Sequence, residues 1–469
     1  MKIRHWRHGF GAALTSTALA ATCTLLSPVL PTAAADPAEC AEPAGSTPFQ
    51  RSEAADAGFD PAVLNDALDF GSGKGAYAIQ VYRHGCLVGD RTKTGNLPAP
   101  LASASKGVAS VAIGRAITMG YFSLDDPLGR FFPRADPEHA ALTVRQVLNQ
   151  TTGLHFSWAA DIAGIATDEV LQTLSAPLDF APGTTFQYSQ AVLVLLPRIV
   201  EITTGLDFQD FVQRELMSPL GIDRGNWIWL RDRSGHTAVN GGMAMRADDL
   251  ARLGQLMLDN GRWGDRQLID PDYIRQATEP TSANGGYGFL FWLNAGDSYK
   301  TATVPTAKVF DHAMFPGAPR DLYSFVGALG QFVAVIPSRD MVIVRLGVPS
   351  GIDPNNIQTS LAAESNPDNK EFLRRVTAAV SDQPAEPYDD PYRYADNFGP
   401  VIGSLDDLAF WTDPAQVAQI LLGTGPYAST DCNILWCNGK LVPQDIFAAT
   451  IDTAGQLAGV LSALGKGQR

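Results

Sequence analysis

The chain has 469 residues, of which 45% are hydrophobic and 18% are charged. These proportions are typical of globular proteins and exclude a disordered or collagen-like chain. The formal net charge is -14 at pH 7, and because such a surface repels polyanions, we expect no nucleic acid among the partners.

The N-terminal segment has the pattern of a secretory signal peptide. A basic start at Lys2, Arg4 and Arg7 precedes an apolar stretch over residues 10–30, and the small residues 33–35 follow it. We therefore expect residues 1–35 to be removed and the mature protein to be secreted, either extracellular or periplasmic. The rest of the chain has no apolar run long enough for a membrane span, so none is predicted.

The mature chain has an even number of cysteines, namely Cys40, Cys86, Cys432 and Cys437. An oxidising compartment favours disulfides, and four cysteines allow three connectivities. Since Cys432 and Cys437 are near enough to close a small loop, the pairing that we predict leaves Cys40 with Cys86.

The first predicted elements after the signal peptide are a tail and a pair of strands. Residues 36–50 are rich in Pro, Ala and Ser and are predicted as a loose tail. Strands are predicted over Ala76–Tyr82 and Cys86–Val88, with a turn at Arg83–Gly85 between them. A helix rich in Ala and Val is predicted over Ser103–Met119.

Helical patterns dominate the middle of the chain. Thr143 with Gln146 three residues later is a capping-box pattern, and the helix that it opens is predicted to end at Gly153. Apolar residues spaced along Ala247–Asp259 predict an amphipathic helix, which Asn260-Gly261 ends.

Later in the chain, the spacing of the apolar residues changes from the helical period to that of strands. Gln331–Ile336 and Met341–Leu346 predict a hairpin around a turn at Pro337–Asp340, and a closing helix is predicted over Glu371–Val380. Strands near both ends with helices between them favour an α+β fold with an antiparallel sheet.

Composition also divides the chain into domains. We predict a catalytic domain over residues 51–382, a Pro-rich and acidic linker over 383–397, and a C-terminal extension of unknown role over 398–469.

The first chemical signal is Ser103-Ala-Ser-Lys106. On a helix, residues three apart share a face, which places an ammonium group beside a hydroxyl. A serine hydroxyl needs a nearby base to act as a nucleophile, and a helix N-terminus favours developing negative charge. The tetrad is a weak signal alone. Ser105 is a second candidate nucleophile, but it has no lysine three residues later.

A second motif is Pro182-Gly-Thr-Thr-Phe-Gln-Tyr188-Ser-Gln190. Together the two motifs are a more specific signal than the tetrad alone. With both, the chain resembles the serine β-lactamase and penicillin-binding superfamily, in particular the class C β-lactamase-like branch of esterases and amino-hexanoate dimer hydrolases. Other stretches match the family in the same order, namely Leu124–Pro127, Leu142–Leu148, Thr152–Leu154, Leu216–Gly221, Asp249–Gly254 and Tyr287–Phe289.

The resemblance implies an antiparallel sheet flanked by helices plus a helical subdomain, with the site between them. It further implies that Ser103 is the acylated nucleophile, that Lys106 is its electrostatic partner and that Tyr188 is the general base. A tyrosine is a poor base at neutral pH unless a cation favours the phenolate, and Lys106 is the available cation. No cofactor is expected.

The sequence departs from the family pattern at two positions. Gln190 stands where the family usually has Asn, which moves the carboxamide one methylene further out. The third family motif, K-T-G or H-x-G on a strand edge, is predicted at Ala328-Leu-Gly330, beside Gln331. The backbone N–H there would complete an oxyanion hole with that of Ser103, but the cationic side chain is missing, which argues against penicillins as preferred substrates.

Trp158 follows the Thr152–Leu154 turn and is a candidate substrate wall, although simple packing explains it equally well. There is no G-x-S-x-G elbow and no H-E-x-x-H zinc motif. We therefore predict a secreted serine hydrolase that acts on small esters or amides. The alternatives are a β-lactamase or D-Ala-D-Ala carboxypeptidase, and a penicillin-binding-like protein without turnover. The sequence does not indicate the oligomeric state.

Overall fold

The computed structural model of the chain describes a subset of its residues, which all lie within the compact unit Pro37–Arg469. These residues are 39–93, 95–155, 168–232, 234–302, 307–349, 351, 364, 366–394, 414–415, 436–437 and 440–441. The signal-peptide prediction, Trp158 and Cys432 lie outside them.

The centre of the fold is a six-stranded sheet in the order β2-β1-β13-β12-β11-β8, and every pair in it is antiparallel. Its strands are β1 (Ala76–Arg83), β2 (Cys86–Asp90), β8 (Trp292–Leu293), β11 (Tyr323–Gly327), β12 (Gln331–Ile336) and β13 (Met341–Gly347). The shorter strands are β3 (Ala99–Pro100), β4 (Trp227–Trp229), β5 (Met243–Met245), β6 (Arg262–Trp263), β7 (Arg266–Gln267), β9 (Tyr299–Lys300), β10 (Val309–Phe310), β14 (Trp436–Cys437) and β15 (Lys440–Leu441).

Helices cover the sheet and fill the middle of the chain, as the α+β prediction requires. They are α1 (Pro61–Gly73), α2 (Ser105–Thr118), α3 (Pro137–Ala141), α4 (Val144–Leu148), α5 (Glu169–Ser175), α6 (Leu195–Thr204), α7 (Phe208–Val212), α8 (Ala247–Leu258), α9 (Pro271–Ala277) and α10 (Pro367–Ala378).

The two faces of the sheet carry different helices. Gly71 of α1 lies against Ile79 of β1 and Phe372 of α10, which places α1 and α10 on one face. On the other face, Gly107 of α2 lies against Phe325 of β11. Helix α8 packs on that second face, since Gly254 lies against Val333 and Val342. The predicted sheet flanked by helices is therefore confirmed.

Two hairpins hold the register of the sheet. The turn between β1 and β2 has positive φ at His84 (52°) and Gly85 (71°). These angles suit the twist of antiparallel strands and explain why the predicted turn forms there. The predicted hairpin of β12 and β13 is also confirmed, with Asp340 in the left-handed conformation at its turn.

Three helix boundaries differ from the predictions. The helix expected from Ser103 begins as a 3-10 turn over Ala102–Ala104, and α2 proper starts at Ser105. The capping box at Thr143 is confirmed, but α4 ends at Leu148 rather than at Gly153, because the chain turns at Gln150 (φ 61°). Helix α10 starts at Pro367, four residues earlier than expected, because the Asn366 side chain caps it.

The predicted loose tail is fixed over its described residues. Cys40 forms the predicted disulfide with Cys86, and the backbone N–H of Cys40 donates to the His84 carbonyl at 2.9 Å. Further along the tail, Arg252 of α8 donates to the carbonyls of Gly45 and Thr47. Arg252, which is buried, thus ties the tail to the face of the sheet on which α8 packs.

The described part of the predicted linker also contacts the catalytic unit. Arg339 donates to the Gln383 side chain, to the Pro384 carbonyl and to the Glu386 carboxylate. Of the extension, only residues 414–415 and the strands β14 and β15 are described. No helix among the described residues is long and apolar enough to cross a membrane.

The disulfide gives a first prediction. Replacing both Cys40 and Cys86 by alanine releases a loop of sequence separation 46, so the free energy of unfolding should fall by about 2–4 kcal/mol. Urea denaturation measures this change. Because Cys86 lies on the edge strand β2, with β1, β13 and β12 between it and β11, kcat/KM should stay within about two-fold of the wild-type value. An unchanged unfolding free energy would contradict the stabilising role.

Candidate active site

Ser103 lies in a strained turn at the start of α2. The turn begins at Ala102, which has a φ of 47°, a conformation that costs energy in a residue with a Cβ atom. The Ser105 hydroxyl supports the turn, because it donates to the Ala102 carbonyl at 2.7 Å and accepts from the N–H of Met243 in β5 at 3.3 Å. Ser105, the second candidate nucleophile, is therefore occupied in holding the turn.

Lys106 is buried directly below Ser103. Its Nζ donates to Ser103 Oγ at 3.0 Å, to Gln190 Oε1 at 2.7 Å and to the Asn240 carbonyl at 2.5 Å. All three ammonium hydrogens thus have acceptors, although the residue is only 1% exposed. Burial lowers the pKa of Lys106 well below its usual range, and the charge of Glu364 partly opposes that shift.

Tyr188 completes a compact group with the serine and the lysine. Lys106 Nζ lies 4.7 Å from the centre of the Tyr188 ring. Burial raises the pKa of Tyr188 strongly, while the neighbouring side chains of Ser103 and Trp292 act to lower it. Burial thus disfavours the charged forms of both Lys106 and Tyr188.

An aromatic cluster surrounds Tyr188. Its ring lies 5.5 Å from that of Trp292, 6.0 Å from Tyr287 and 6.5 Å from Phe186, as measured between centroids. All four rings are at most 4% exposed. The cluster excludes water from one side of the site and fixes the orientation of Tyr188.

The strand edge that faces the nucleophile ends at Gly327. A Cβ atom there would lie 2.1 Å from the Leu101 carbonyl oxygen and 3.1 Å from the Ser103 nitrogen. Ala328–Gly330 does not continue the strand, contrary to the prediction, because Leu329 has a φ of 68° and turns the chain into β12. Ala328 is exposed at the first position of this turn.

Arg345, which the sequence analysis did not single out, and the predicted residue Gln331 support the turn from behind. Arg345 is 1% exposed and donates to the Gly330 carbonyl at 2.5 Å and to the Lys74 carbonyl at 2.9 Å. Both polar atoms of the Gln331 carboxamide bond to the backbone of Gly347. Arg345 therefore presents no cation at the surface of the site, and Gln331 holds β12 to β13.

Sequence reasoning missed several residues of the site. Asn240 contributes a backbone carbonyl, which any residue type would provide, so it leaves no sequence signal. Glu364 is 5% exposed and acts on Lys106, Tyr188 and Tyr287 through its charge. Trp292 lies three residues after the Tyr287–Phe289 motif, and its place beside Tyr188 depends on the pairing of β8 with β11.

The family follows from a direct match. A model of the β-lactamase family matches residues 72–347, which is more than half of the chain. The chain belongs to the β-lactamase family. The matched region includes Ser103, Lys106, Tyr188 and the whole β11–β12 turn.

Individual relatives agree with this family. The chain is 27% identical to 6-aminohexanoate-dimer hydrolase of Paenarthrobacter ureafaciens, over 52% of this chain and 65% of the relative. It is 33% identical to Esterase EstB of Burkholderia gladioli, over 26% of this chain and 36% of the relative. The alignments thus span less than two thirds of either relative.

A solved structure supports the β-lactamase fold. A novel penicillin-binding protein homolog from Caulobacter crescentus superposes with a TM-score of 0.53 at 16% identity, covering 68% of this chain and 97% of that one. At this identity the likeness concerns the fold alone. Among the described residues, no group of three or more His, Cys, Asp or Glu side chains is arranged to hold a metal ion.

The close approach at Gly327 gives a second prediction. In Gly327→Ala the new methyl group must displace the backbone of residues 101–104, so kcat/KM should fall on the order of 10²-fold through misplacement of Ser103. Gly241→Ala is the matched control, because its methyl group would lie 3.7 Å from the Ala102 backbone, an ordinary contact. Equal activities of the two variants would contradict the role of Gly327.

Proposed function

We propose that this protein is a serine hydrolase that forms an acyl-enzyme at Ser103 and acts on small, uncharged esters. The observation that carries the proposal is the 3.0 Å hydrogen bond between Lys106 Nζ and Ser103 Oγ in a buried site. Nucleophile and base must lie within this distance for a proton to pass between them.

The ionisation of the site supports Lys106 as the first proton acceptor. Burial lowers the pKa of Lys106 and raises that of Tyr188. A neutral Lys106 amine would keep its two hydrogens on Gln190 Oε1 and the Asn240 carbonyl and would accept from the Ser103 hydroxyl. When Ser103 Oγ attacks the ester carbonyl, its proton passes to Lys106 Nζ. As the bond to the leaving oxygen breaks, Tyr188 gives its proton to that oxygen and takes the proton held by Lys106.

The second half of the reaction uses the same groups in reverse. Water attacks the acyl-enzyme, its proton passes through the Tyr188 and Lys106 pair to Ser103 Oγ, and the carboxylic acid leaves. We place the oxyanion of both steps between the N–H groups of Ser103 and Ala328, because the end of β11 approaches the nucleophile turn at Gly327.

The Gln190 carboxamide is suited to bind the substrate. Its oxygen accepts from Lys106, while its Nε2 is buried and has no partner among the described residues. A buried donor without an acceptor costs free energy, so a substrate oxygen other than that of the scissile carbonyl would be bound there. Gln190 thus would serve both the lysine and the substrate.

The charges of the site favour neutral substrates over β-lactams. In the described residues the strand that faces the nucleophile carries buried Phe325 and is followed by exposed Ala328, and Arg345 is turned inward. Glu364 adds a negative charge near Lys106. A substrate carboxylate would therefore find no exposed cation among the described residues of this strand end. One relative, Esterase EstB, is named as an esterase, which agrees with the choice of esters.

We also propose an oxidising location for the mature protein. The Cys40–Cys86 disulfide supports an extracellular or periplasmic compartment, since such bonds are rare in the cytosol.

The mechanism gives a third prediction. Ser103→Ala should abolish hydrolysis of an ethyl ester, and Tyr188→Phe should lower kcat/KM on the order of 10²-fold or more, because the leaving alkoxide loses its acid. Labelling by a fluorophosphonate probe identifies the nucleophile independently. Ser105→Ala should still be labelled, whereas Ser103→Ala should not. Near-normal turnover by Ser103→Ala would disprove the mechanism.

Substrate choice gives a fourth prediction. A p-nitrophenyl ester should be hydrolysed much faster than nitrocefin, since a missing charged contact corresponds to roughly 10- to 150-fold. Because the two substrates differ in intrinsic reactivity, the change on mutation is the cleaner measurement. Ala328→Lys should lower the ratio of kcat/KM for the ester to kcat/KM for nitrocefin, because Ala328 is exposed and borders the turn that holds Ser103.

Val63→Lys is the control for this experiment. It adds the same charge at an exposed position of α1, where the side chain is 40% exposed, and should leave the ratio unchanged. Wild-type turnover of nitrocefin at the rate of the ester would show that the preference for neutral esters is wrong.

A further inference from the structure

Gln150 lies in the turn that follows α4, and it binds the chain on both sides of Tyr188. The backbone N–H of Gln187 donates to the Gln150 carbonyl at 3.0 Å. The backbone N–H of Ser189 donates to Gln150 Oε1 at 2.6 Å. Both neighbours of Tyr188 are therefore held by one residue that is far away in sequence.

Tyr188 is the middle residue of a tight turn. The Ser189 N–H also donates to the Gln187 carbonyl at 2.7 Å, which closes a three-residue turn around Tyr188. Such a turn is local, so it can shift as a unit without losing its own hydrogen bond. Its place relative to Ser103 therefore depends on contacts with the rest of the chain, and Gln150 provides one on each side of Tyr188.

The turn that carries Gln150 is itself well anchored. It follows α4, whose start is fixed by the capping box at Thr143. The next residue, Thr151, accepts at its carbonyl from the N–H of Gly183 at 2.7 Å. Two successive residues thus bind the Pro182–Gln190 motif at three backbone N–H groups.

Gln150 adopts a conformation that costs free energy. Its φ of 61° is rare for a residue with a Cβ atom. The residue is 1% exposed, and its Nε2 is a buried donor without a partner among the described residues. Costs of this kind persist only where the surroundings enforce them, and they cluster at functional sites. An apolar side chain of the same length would avoid the unpaired donor, so the acceptor Oε1 is the part of the side chain that the site uses.

We infer that Gln150 is a positioning residue, which holds Tyr188 in place for the transfer of its proton to the leaving oxygen. It acts through the backbone of Gln187 and Ser189. The inference rests on the proposed function, because that function assigns the acid role to Tyr188.

The test compares two esters that share one acyl group. Ethyl butyrate has a poor leaving group that needs a proton, whereas p-nitrophenyl butyrate has a leaving group that departs as an anion. The ratio of kcat/KM for p-nitrophenyl butyrate to kcat/KM for ethyl butyrate therefore rises when the acid is misplaced. A displaced Gln190 would instead lower both values alike, since the acyl group is the same.

Gln150→Met keeps the length of the side chain and removes the acceptor. It should raise the ratio at least about 10-fold, because a misplaced acid slows the ester that needs a proton. An unchanged ratio in Gln150→Met would overturn the inference.

A double-mutant cycle tests whether Gln150 acts through Tyr188. Tyr188→Phe should raise the ratio by itself. Since that variant has no acid left to position, adding Gln150→Met should change its ratio by less than about two-fold. If the two single effects multiply in the double variant, Gln150 acts independently of Tyr188 and the inference is wrong.

Thr152→Val is the matched control. Thr152 lies in the same turn, is 4% exposed, and its hydroxyl accepts from the Leu154 N–H at 3.4 Å. Valine keeps the shape of the side chain and removes a buried hydroxyl, and it should leave the ratio unchanged. A rise in Thr152→Val as large as that in Gln150→Met would also overturn the inference, since any damage to the turn would then have the same effect.

Labelling by a fluorophosphonate reports whether Ser103 and Lys106 are still assembled, because fluoride leaves without a proton. Gln150→Met should be labelled. Should this variant fail to fold, Gln150→Gly removes the same acceptor and relieves the positive φ. It should raise the ratio in the same way, and an unchanged ratio in that variant would contradict the role of Gln150.

Tyr188→Phe alone separates the two hypotheses. If it leaves the ratio unchanged, the acid role of Tyr188 in the proposed function is wrong, and the role of Gln150 is wrong with it. If Tyr188→Phe raises the ratio and Gln150→Met does not, the proposed function stands and only the role of Gln150 is wrong.

Discussion

The burial of the Lys106 ammonium group is the constraint on which the rest of the site depends. A buried cation is tolerated only when its donors are satisfied, and removing one partner of such a group typically costs about 3–5 kcal/mol. Lys106 has three acceptors, which come from three separate segments of the chain, namely Ser103, Gln190 and Asn240. The lysine therefore fixes the nucleophile turn, the segment after Tyr188 and the segment before β5 in one arrangement. The same burial lowers its pKa and so prepares it to accept a proton.

Local strain is concentrated on both sides of the nucleophile. Ala102 and Leu329 both have positive φ, and each lies in a tight turn, one at the start of α2 and one after β11. Such conformations persist only where the surroundings enforce them. The Ser105 hydroxyl supports the first turn and the Arg345 guanidinium supports the second. In both turns a buried polar side chain thus holds the backbone in place.

The electrostatics of the site follow from which charges are buried and which are exposed. Arg345 has a pKa lowered to about 10 by burial, and its contacts are backbone carbonyls behind the turn. Glu364 acts on both Lys106 and Tyr188. The charge of Arg345 thus serves the backbone of the turn, and the charge of Glu364 acts inside the buried site.

Much of the fold could be predicted from sequence because its signals are local. The β12–β13 hairpin, the capping box at Thr143 and the amphipathic helix α8 depend on residues within a few positions of one another. The Cys40–Cys86 pair was reached by elimination, and the structure contains it. The family is likewise encoded in short motifs. In the same way, the sequence by itself determined the chemical groups of the site, namely Ser103, Lys106 and Tyr188, because each is specified by its residue type.

Only the tertiary structure decided what depends on distant contacts. The end of β11 at Gly327 could not be read from spacing, because it is defined by a close approach to the Ser103 backbone, which is far away in sequence. The next three residues form a turn, although their small and apolar side chains would also fit a strand. The acceptor on Asn240 is a backbone carbonyl, and the ring contact between Trp292 and Tyr188 joins a strand to a loop. The pKa shifts in the site and the contacts that hold its side chains also depend on the tertiary structure, because burial and long-range contacts depend on how the whole chain packs.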